Sequence, residues 1–217
     1  MIDKKNKLYL VLTSLFITFL LVAELTGSKL FKFAGFTMTI GVIPFPVTFL
    51  ITDTLNEFYG KDGVRRTTLI GFAMILIAYF VIAIDLQIPA IPESPIDDAT
   101  FEKVFVNAKW IIIGSITAYL IGQFIDIYVF QFLKKISKGK YIWLRATGST
   151  VVSQLVDSFV VIFIAFWNLF PTAKLLEIST TNYIYKLCIA ILLTPVIYLV
   201  HYWIESYLEI HAENISA

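Results

Sequence analysis

Long apolar runs constrain this chain more than any other feature of its sequence. Runs of about 20 mainly apolar residues, the length that spans a bilayer, can be placed at 8–28, 38–58, 67–88, 110–133, 148–170 and 184–207. Hydrophobic residues make up 58% of the chain and charged residues 15%, which is too few charges to cover a soluble globule. We therefore predict an all-α polytopic membrane protein with six transmembrane helices and a single domain over residues 1–217.

The remaining composition excludes several classes of function. Six helices and their connections use nearly the whole chain, which leaves no room for a soluble catalytic or nucleotide-binding domain. A net charge of +1 predicts no nucleic-acid partner, and the single Cys188 excludes a disulfide framework, a CxxC redox pair and a cysteine-based metal site. No HExxH, Gly-x-Ser-x-Gly or Walker-type motif is present. We expect no enzyme, no cofactor and no metal; an intramembrane hydrolase with an aspartate pair has only its aspartates in its favour.

The distribution of cationic residues predicts the orientation in the membrane. The short basic tail before the first span contains Lys4, Lys5 and Lys7, and we expect an uncleaved first helix to follow it. If six spans alternate, the side that holds this tail carries 11 Lys and Arg residues, including Arg145, and the other side carries 6, including Lys186. The positive-inside rule then places both termini in the cytoplasm, as in a multi-pass protein of the inner (plasma) membrane.

Two acids interrupt the second apolar run. Asp53 and Glu57 are four residues apart, so they share one helical face, with Asn56 beside them. A carboxylate at bilayer depth costs at least about 2.5 to 3.5 kcal/mol on insertion scales, so this face should look into protein or water. The alternative is a helix that ends early and leaves both acids in the headgroup region.

Breaks in the backbone precede these acids. Gly35, Gly41, Pro44 and Pro46 interrupt the approach to the second helix, and irregular backbone at membrane depth survives only inside protein or along a cavity. A broken helix that leads into paired acids is typical of ligand sites in transporters. Glu24, near the end of the first helix, either reaches the interface or lines the outer mouth of such a pathway.

Polar stripes mark the fourth and fifth helices. Ser115, Tyr119, Gln123 and Asp126 recur at intervals of four, four and three residues, which puts them on one face of the fourth helix. The fifth helix repeats the pattern with Ser149 or Thr150, Ser153, Gln154 and Asp157. Serine and glutamine can also join helices without binding a ligand, but the acids on three helices favour a ligand cavity.

Three segments resemble the queuosine precursor transporter family, also called the vitamin uptake transporter family. They read FPVTFLITDTLNEFYGK at 45–61, followed by Arg65 and Arg66, then AYLIGQFID at 118–126 and LRATGSTVVSQLVDS at 144–158. The similarity covers essentially the whole chain. It implies a six-helix inner-membrane carrier that imports 7-deazaguanine bases, such as 7-cyano-7-deazaguanine or its aminomethyl relative, for modification of transfer RNA. The chain departs from the family pattern near Glu24, where the family has an asparagine.

The chemistry of a 7-deazaguanine base fits these polar residues. Its ring N–H and exocyclic amine are parallel donors for the two oxygens of a carboxylate, and its carbonyl oxygen accepts from an amide. We expect aspartates and glutamines of the fourth and fifth helices to bind the base, aromatic rings to stack on it, and polar residues of the second helix to complete the pocket or carry a coupling proton. The predicted site residues are Phe45, Asp53, Asn56, Glu57, Tyr119, Gln123, Asp126, Ser149, Gln154 and Asp157.

Two rival functions remain at this point. One is a substrate-binding subunit of an energy-coupling-factor vitamin transporter, which a separate ATPase module drives, and the other is a helix-packing or sensor protein. A carrier needs two halves, so we predict a 3+3 inverted repeat that pairs the Asp53 helix with the Asp157 helix. The partners of such a carrier are the small base and the lipid bilayer. Whether the protein forms a homo-oligomer is left open.

Overall fold

A computed structural model describes residues 3–27, 29–33, 35–105, 109–138 and 140–209, without the side chains of residues 36, 109–112, 115 and 119. The fold is predominantly helical. Five of the described helices are long and apolar enough to cross a membrane. In chain order the elements are α1 (Lys4–Thr26), β1 (Leu30–Phe33), β2 (Phe36–Thr39), a 3₁₀ turn (Ile40–Val42), α2 (Phe45–Asp85), α3 (Asp98–Phe105), α4 (Lys109–Ile136), α5 (Ile142–Phe166) and α6 (Thr172–Leu208).

The second helix begins at Phe45, so the prediction of a helix from residue 38 is wrong. The chain before it forms an antiparallel hairpin in which Leu30 pairs with Thr39. Gly35 has a φ of +86° in this hairpin, a left-handed conformation that favours glycine. Pro44 precedes the first helical residue, in keeping with the preference of proline for helix starts, where no backbone donor is needed. Among the described residues, this small hairpin departs from the all-α prediction.

Helix α2 reverses direction at Gly60, whose φ of +67° and ψ of −172° are not helical. The chain just before α2 lies against the end of α1. A Cβ on Gly41 would lie 3.0 Å from the carbonyl oxygen of Ala23. The Tyr59 hydroxyl donates a hydrogen bond to the carbonyl of Lys5, at the beginning of α1. Residues 45–59 therefore run antiparallel to α1.

Beyond Gly60 the chain runs back along α1. The Tyr9 hydroxyl donates to the carbonyl of Gly63 over 2.9 Å, and the hydroxyls of Thr13 and Thr67 lie 3.0 Å apart, one turn further along both helices. Residues 61–85 are thus parallel to α1. Many of their large apolar side chains are exposed, such as Phe80 at 68%. These side chains form the face of the helix that we expect to contact lipid.

Apolar packing holds the bundle together in two places. One cluster joins α1, α2 and α4, and the other joins α5 and α6. The first contains Leu12, Phe16, Leu20, Ile51, Leu55, Val64, Ile75 and Ile127, and the second contains Ile162, Ala165, Phe166, Leu175 and Ile178.

Glycines bring α4 and α5 close together. A Cβ on Gly114 would lie 2.9 Å from the backbone nitrogen of Ala165, and one on Gly122 would lie 3.2 Å from the Cβ of Asp157. Small residues allow helix backbones to approach in this way inside membranes. The carboxylate of Asp157 is therefore packed directly against the backbone of α4.

The connection after α2 contains the short helix α3, none of whose residues is buried. The side chain of Asp97 accepts a hydrogen bond from the backbone N–H of Thr100 over 2.8 Å. Hydrogen bonds with Thr100 lower the pKa of the Asp97 carboxyl.

At the opposite end of the bundle, Lys4 donates a hydrogen bond to Glu209, which lowers the pKa of that carboxyl. The start of α1 and the end of α6 therefore lie together.

Candidate functional site

Most of the predicted site residues lie inside the helix bundle. Seven are buried: Asp53, Asn56, Gln123, Asp126, Ser149, Gln154 and Asp157. Phe45 and Glu57 are partly exposed, and the side chain of Tyr119 lies outside those that the structure describes. Asp53 is only 5% exposed, which argues against the alternative that the acids of α2 end in the headgroup region.

A buried ion pair joins α5 and α6. Lys186 donates a hydrogen bond from Nζ to Oδ2 of Asp157 over 2.6 Å, and both side chains are at most 10% exposed. The same Nζ lies 4.5 Å from the centroid of the Phe45 ring, within the range of a cation–π contact. A carboxylate, an ammonium and an aromatic face thus meet at the start of α2.

These three residues line a cavity of about 50 Å³ near the hairpin end of the bundle. This volume has room for one or two water molecules, so it must widen before it can hold a two-ring base. We call it the Asp157 cavity. Its lining residues are Ala23, Glu24, Gly27, Thr39, Gly41, Val42, Phe45, Asp157, Val161, Ile162, Ala165, Phe166, Asn182 and Lys186. Glu24 is among these lining residues, and the side-chain oxygen of Asn182 has no hydrogen-bond partner among the described residues.

Two further buried acids lie on α2 and α4. Asp53 is 5% exposed, and Asp126 is fully buried. The Ser153 hydroxyl of α5 donates a hydrogen bond to Oδ1 of Asp126 over 3.1 Å. Oδ1 of Asp53 and Oδ2 of Asp126 have no hydrogen-bond partner within the described part of the chain. We call these two residues the central acid pair.

A cationic cluster surrounds Glu57 toward the other end of the bundle. Oε1 of Glu57 lies 2.7 Å from Nη2 of Arg145 and 3.9 Å from Nε2 of His201. Oε2 lies 3.4 Å from Nζ of Lys134, which also donates to the Glu57 carbonyl. Since Arg145 is 1% exposed, this pairing compensates its buried charge. We call these four residues, which come from α2, α4, α5 and α6, the Glu57 cluster.

The predicted residues therefore occupy three levels of the bundle. Phe45 and Asp157 share the Asp157 cavity, and the central acid pair and the Glu57 cluster contain the others with charged side chains. Asn56 accepts a hydrogen bond from Gln131 beside the Glu57 cluster, at 3.2 Å. Gln123 and Gln154 are buried but do not line the Asp157 cavity, so the predicted grouping of both glutamines around one base is not seen in this structure.

Sequence reasoning missed the cations of the site. Lys186 is predicted among the cations of the non-cytoplasmic side, at the start of a sixth span placed from 184, but α6 begins at Thr172 and holds Lys186 well inside the helix. Arg145 was assigned to a connection in the same way, because α5 begins at Ile142. The signal that could have found Lys186 is its position within a long apolar region, where an unpaired ammonium is costly.

A larger groove of about 840 Å³ lies at the end of a spanning segment, along residues 83–102. It is formed by the end of α2 and the exposed connection that follows. We prefer the Asp157 cavity because it combines buried charge, an aromatic face and a position inside the bundle.

Comparison with known proteins identifies the family of the chain. A family model described as "Putative vitamin uptake transporter" matches residues 39–200. The chain is 32% identical over 178 residues to the "Probable queuosine precursor transporter" of Bacillus subtilis, which covers 81% of this chain and 77% of that relative. A protein of the same description from Haemophilus influenzae is 28% identical over 82% of this chain and 74% of its own length. The "Queuosine precursor transporter" of Escherichia coli is 29% identical over 72% of this chain and 69% of its own length. No solved structure matches the chain.

Proposed function

The chain belongs to the vitamin uptake transporter family, and from that premise we propose that it is a carrier, not an enzyme, that imports queuosine precursors. It is a multi-pass protein of the inner (plasma) membrane. The proposed cargo is a 7-deazaguanine base, with 7-cyano-7-deazaguanine as the first compound to test. The names of the relatives and the chemistry of the Asp157 cavity support this cargo.

The observation that carries the proposal is the buried contact of Asp157, Lys186 and Phe45. The two oxygens of Asp157 match the paired N–H donors of a guanine-like edge, and the Lys186 ammonium is a donor for its carbonyl oxygen. Phe45 supplies an apolar face for the rings. Lys186 neutralises Asp157, and when the base pairs with both oxygens of Asp157, the Lys186 ammonium turns from Oδ2 to the carbonyl oxygen of the base.

We place the other predicted polar residues around the path of the base. Gln123, Gln154 and Ser149 are buried in the same helix pair that holds Asp157. Both glutamines have a side-chain oxygen without a hydrogen-bond partner among the described residues. Buried amides of this kind can pair with a base once the Asp157 cavity widens.

The proposed topology has six crossings. A continuous helix as long as α2, 41 residues, would extend about 62 Å, roughly twice the hydrocarbon thickness of about 30 Å. The reversal at Gly60 supports two crossings in its place. The contact of Lys4 with Glu209 supports termini on one side of the membrane, and the excess of Lys and Arg there supports the cytoplasm.

We infer a mechanism of alternating access from the positions of the Asp157 cavity and the Glu57 cluster. The Asp157 cavity lies near the hairpin end of the bundle, while the Glu57 cluster ties four helices together at the end where α1 begins. We propose that the cluster closes the cytoplasmic end while the base enters, and that its separation releases the base. The 3+3 repeat that pairs the Asp53 helix with the Asp157 helix remains a prediction within this scheme.

Uptake of labelled 7-cyano-7-deazaguanine into cells that lack their own synthesis tests the proposal. Expression of the protein should restore accumulation, and Asp157→Asn should abolish it because one anionic oxygen is lost. The matched control is Glu177→Gln, which changes an exposed carboxylate paired with Lys174 three residues away. Normal uptake by a well-inserted Asp157→Asn protein contradicts the site. Binding of the base without accumulation by the purified, reconstituted protein supports the binding-subunit alternative.

A further inference from the structure

The Asp157 cavity contains a second carboxylate, which the proposed pairing with the base does not use. Glu24 of α1 lines the cavity together with Asp157 of α5, and the Lys186 ammonium lies 2.6 Å from Oδ2 of Asp157. From this arrangement we propose that Glu24 selects a cargo with a positive charge, so that the carrier prefers the 7-aminomethyl base to the 7-cyano base. This inference rests on the proposed function and adds a specificity-determining residue to it.

Close contact between two glycines holds the end of α1 at the cavity. A Cβ on Gly41, in the turn before α2, would lie 3.2 Å from the Cα of Gly27 and 3.0 Å from the carbonyl oxygen of Ala23. Small residues allow backbones to approach in this way. Glu24 is three residues before Gly27, within the segment that this contact fixes, and its side chain is partly buried. The second carboxylate of the cavity therefore comes from a different helix than the first.

A buried amide oxygen lines the same cavity. Asn182 of α6 is 2% exposed, and its Oδ1 has no hydrogen-bond partner among the described residues. A buried acceptor without a donor is costly, which points to a donor on the cargo. An ammonium has three N–H groups, so it can donate to this oxygen and to a carboxylate at once. The cavity thus offers a cationic group both an opposite charge and a neutral acceptor.

The two candidate bases differ in the charge of one substituent. A cyano group is neutral, whereas an aminomethyl group is an alkyl ammonium at neutral pH, like the side chain of lysine. This substituent is on the five-membered ring, next to the carbonyl oxygen to which Lys186 donates in the proposed pairing. Two neighbouring ammonium groups repel each other, so a cationic base needs a further carboxylate beside them. Glu24 is the carboxylate that the lining of the cavity supplies.

The charges of the cavity then balance. Its described lining contains two carboxylates, Glu24 and Asp157, and one ammonium, Lys186, which gives a net charge of −1 when all three are ionised. A cationic base brings this sum to zero, while the neutral cyano base leaves it at −1. Because uncompensated charge inside a membrane protein is unfavourable, the aminomethyl base is the better cargo for this cavity.

Counterflow in liposomes measures the preference. Counterflow is the entry of a labelled base in exchange for an unlabelled base inside the liposomes, and it needs no ion gradient. The KM for entry is measured for the aminomethyl base, the cyano base and the 7-hydroxymethyl base, which has nearly the shape of the aminomethyl base but no charge. For the natural protein we expect a KM about tenfold lower for the aminomethyl base than for either neutral base, as one charge-assisted contact can supply.

Variants then assign the preference to Glu24. Glu24→Gln should reduce the ratio of the hydroxymethyl KM to the aminomethyl KM by about tenfold, whatever it does to the neutral bases. Glu24→Asp, which keeps the carboxylate, should retain the preference, and Asn182→Leu should weaken it. The control is Glu177→Gln, which changes an exposed carboxylate and should leave the ratio unchanged.

The outcomes separate this inference from the proposed function. Equal KM values for the aminomethyl and hydroxymethyl bases in the natural protein overturn the inference and leave the carrier standing. So does a Glu24→Gln protein that loses all three bases equally, because that result indicates a structural role. Absence of counterflow with every base overturns the proposed function itself. If Glu24→Gln fails to fold, the three bases compared on the natural protein still decide whether the site selects a cation.

Discussion

Lys186 of α6 donates a hydrogen bond to Asp157 of α5 across 2.6 Å in the interior of the bundle. Removing one member of such a buried pair leaves an uncompensated charge, which costs about 3 to 5 kcal/mol. Lys186→Met should therefore lower the free energy of unfolding by about that amount. The double variant Lys186→Met with Asp157→Leu should recover most of the loss, because no charge is left behind. Denaturant unfolding of the purified protein in detergent measures both.

The exposed pair of Lys174 and Glu177 is the control for this experiment. It has a similar separation, 2.5 Å, but its side chains are 37% and 53% exposed. Surface pairs contribute about 0 to 1 kcal/mol, so Lys174→Met should change stability little. Equal losses in Lys186→Met and Lys174→Met would contradict the burial argument.

Gly60 supplies a second prediction, on the reversal within α2. Its φ of +67° and ψ of −172° lie in a region that is essentially restricted to glycine. An added Cβ would have no atom within 4 Å, so the cost of Gly60→Ala comes from the backbone and should be about 1 to 3 kcal/mol. Thermal unfolding checks this, with the neighbouring exposed substitution Lys61→Ala as control. A fully stable Gly60→Ala protein would show that the reversal does not need this conformation.

The sequence predicted which acids are buried better than it predicted their partners. Asp53, Asp126 and Asp157 stand in long apolar runs, where the cost of facing lipid requires them to turn inward, and all three do so. Helical periodicity shows which face a residue occupies, but not which face of another helix it meets. For that reason the pairing of Asp157 with Lys186, rather than with the polar stripe of α4, could not be predicted.

Errors in helix boundaries explain most of the remaining differences. Apolar windows placed the fifth and sixth spans from 148 and 184, but the helices begin at Ile142 and Thr172 because their first turns are more polar than a window of average hydropathy accepts. The hairpin before α2 was missed because strands of four residues give too few alternations to be distinguished from a loop. The six-span count, the inverted repeat and the cytoplasmic termini stay predictions.

The packing of Gly122 on Asp157 gives a third prediction. A Cβ at position 122 would lie 3.2 Å from the Cβ and 3.4 Å from Oδ1 of Asp157, so Gly122→Ala must displace the carboxylate by a few tenths of an ångström. A loss of about 1 kcal/mol in binding raises the KM for uptake of the base about fivefold. Gly148→Ala is the control, since its Cβ would meet the end of the flexible Leu133 side chain on the same helix pair but away from the cavity. A KM that rises equally in both variants would point to general loosening of α4 on α5.

The Glu57 cluster gives the last prediction, on the closed end of the bundle. Ala146 is 1% exposed and lies beside Glu57 and His201 in the packed interior. In a protein whose exposed Cys188 has been changed to serine, a cysteine substituted by Ala146→Cys should react slowly with a membrane-impermeant maleimide. Adding Glu57→Gln removes the charge that holds Arg145, so the cluster should separate more often and labelling should become about tenfold faster, which corresponds to about 1.4 kcal/mol. Glu205→Gln, which leaves the contact of Glu57 with Arg145 intact, is the comparison. Equal labelling rates in both variants would show that Glu57 does not hold this end closed.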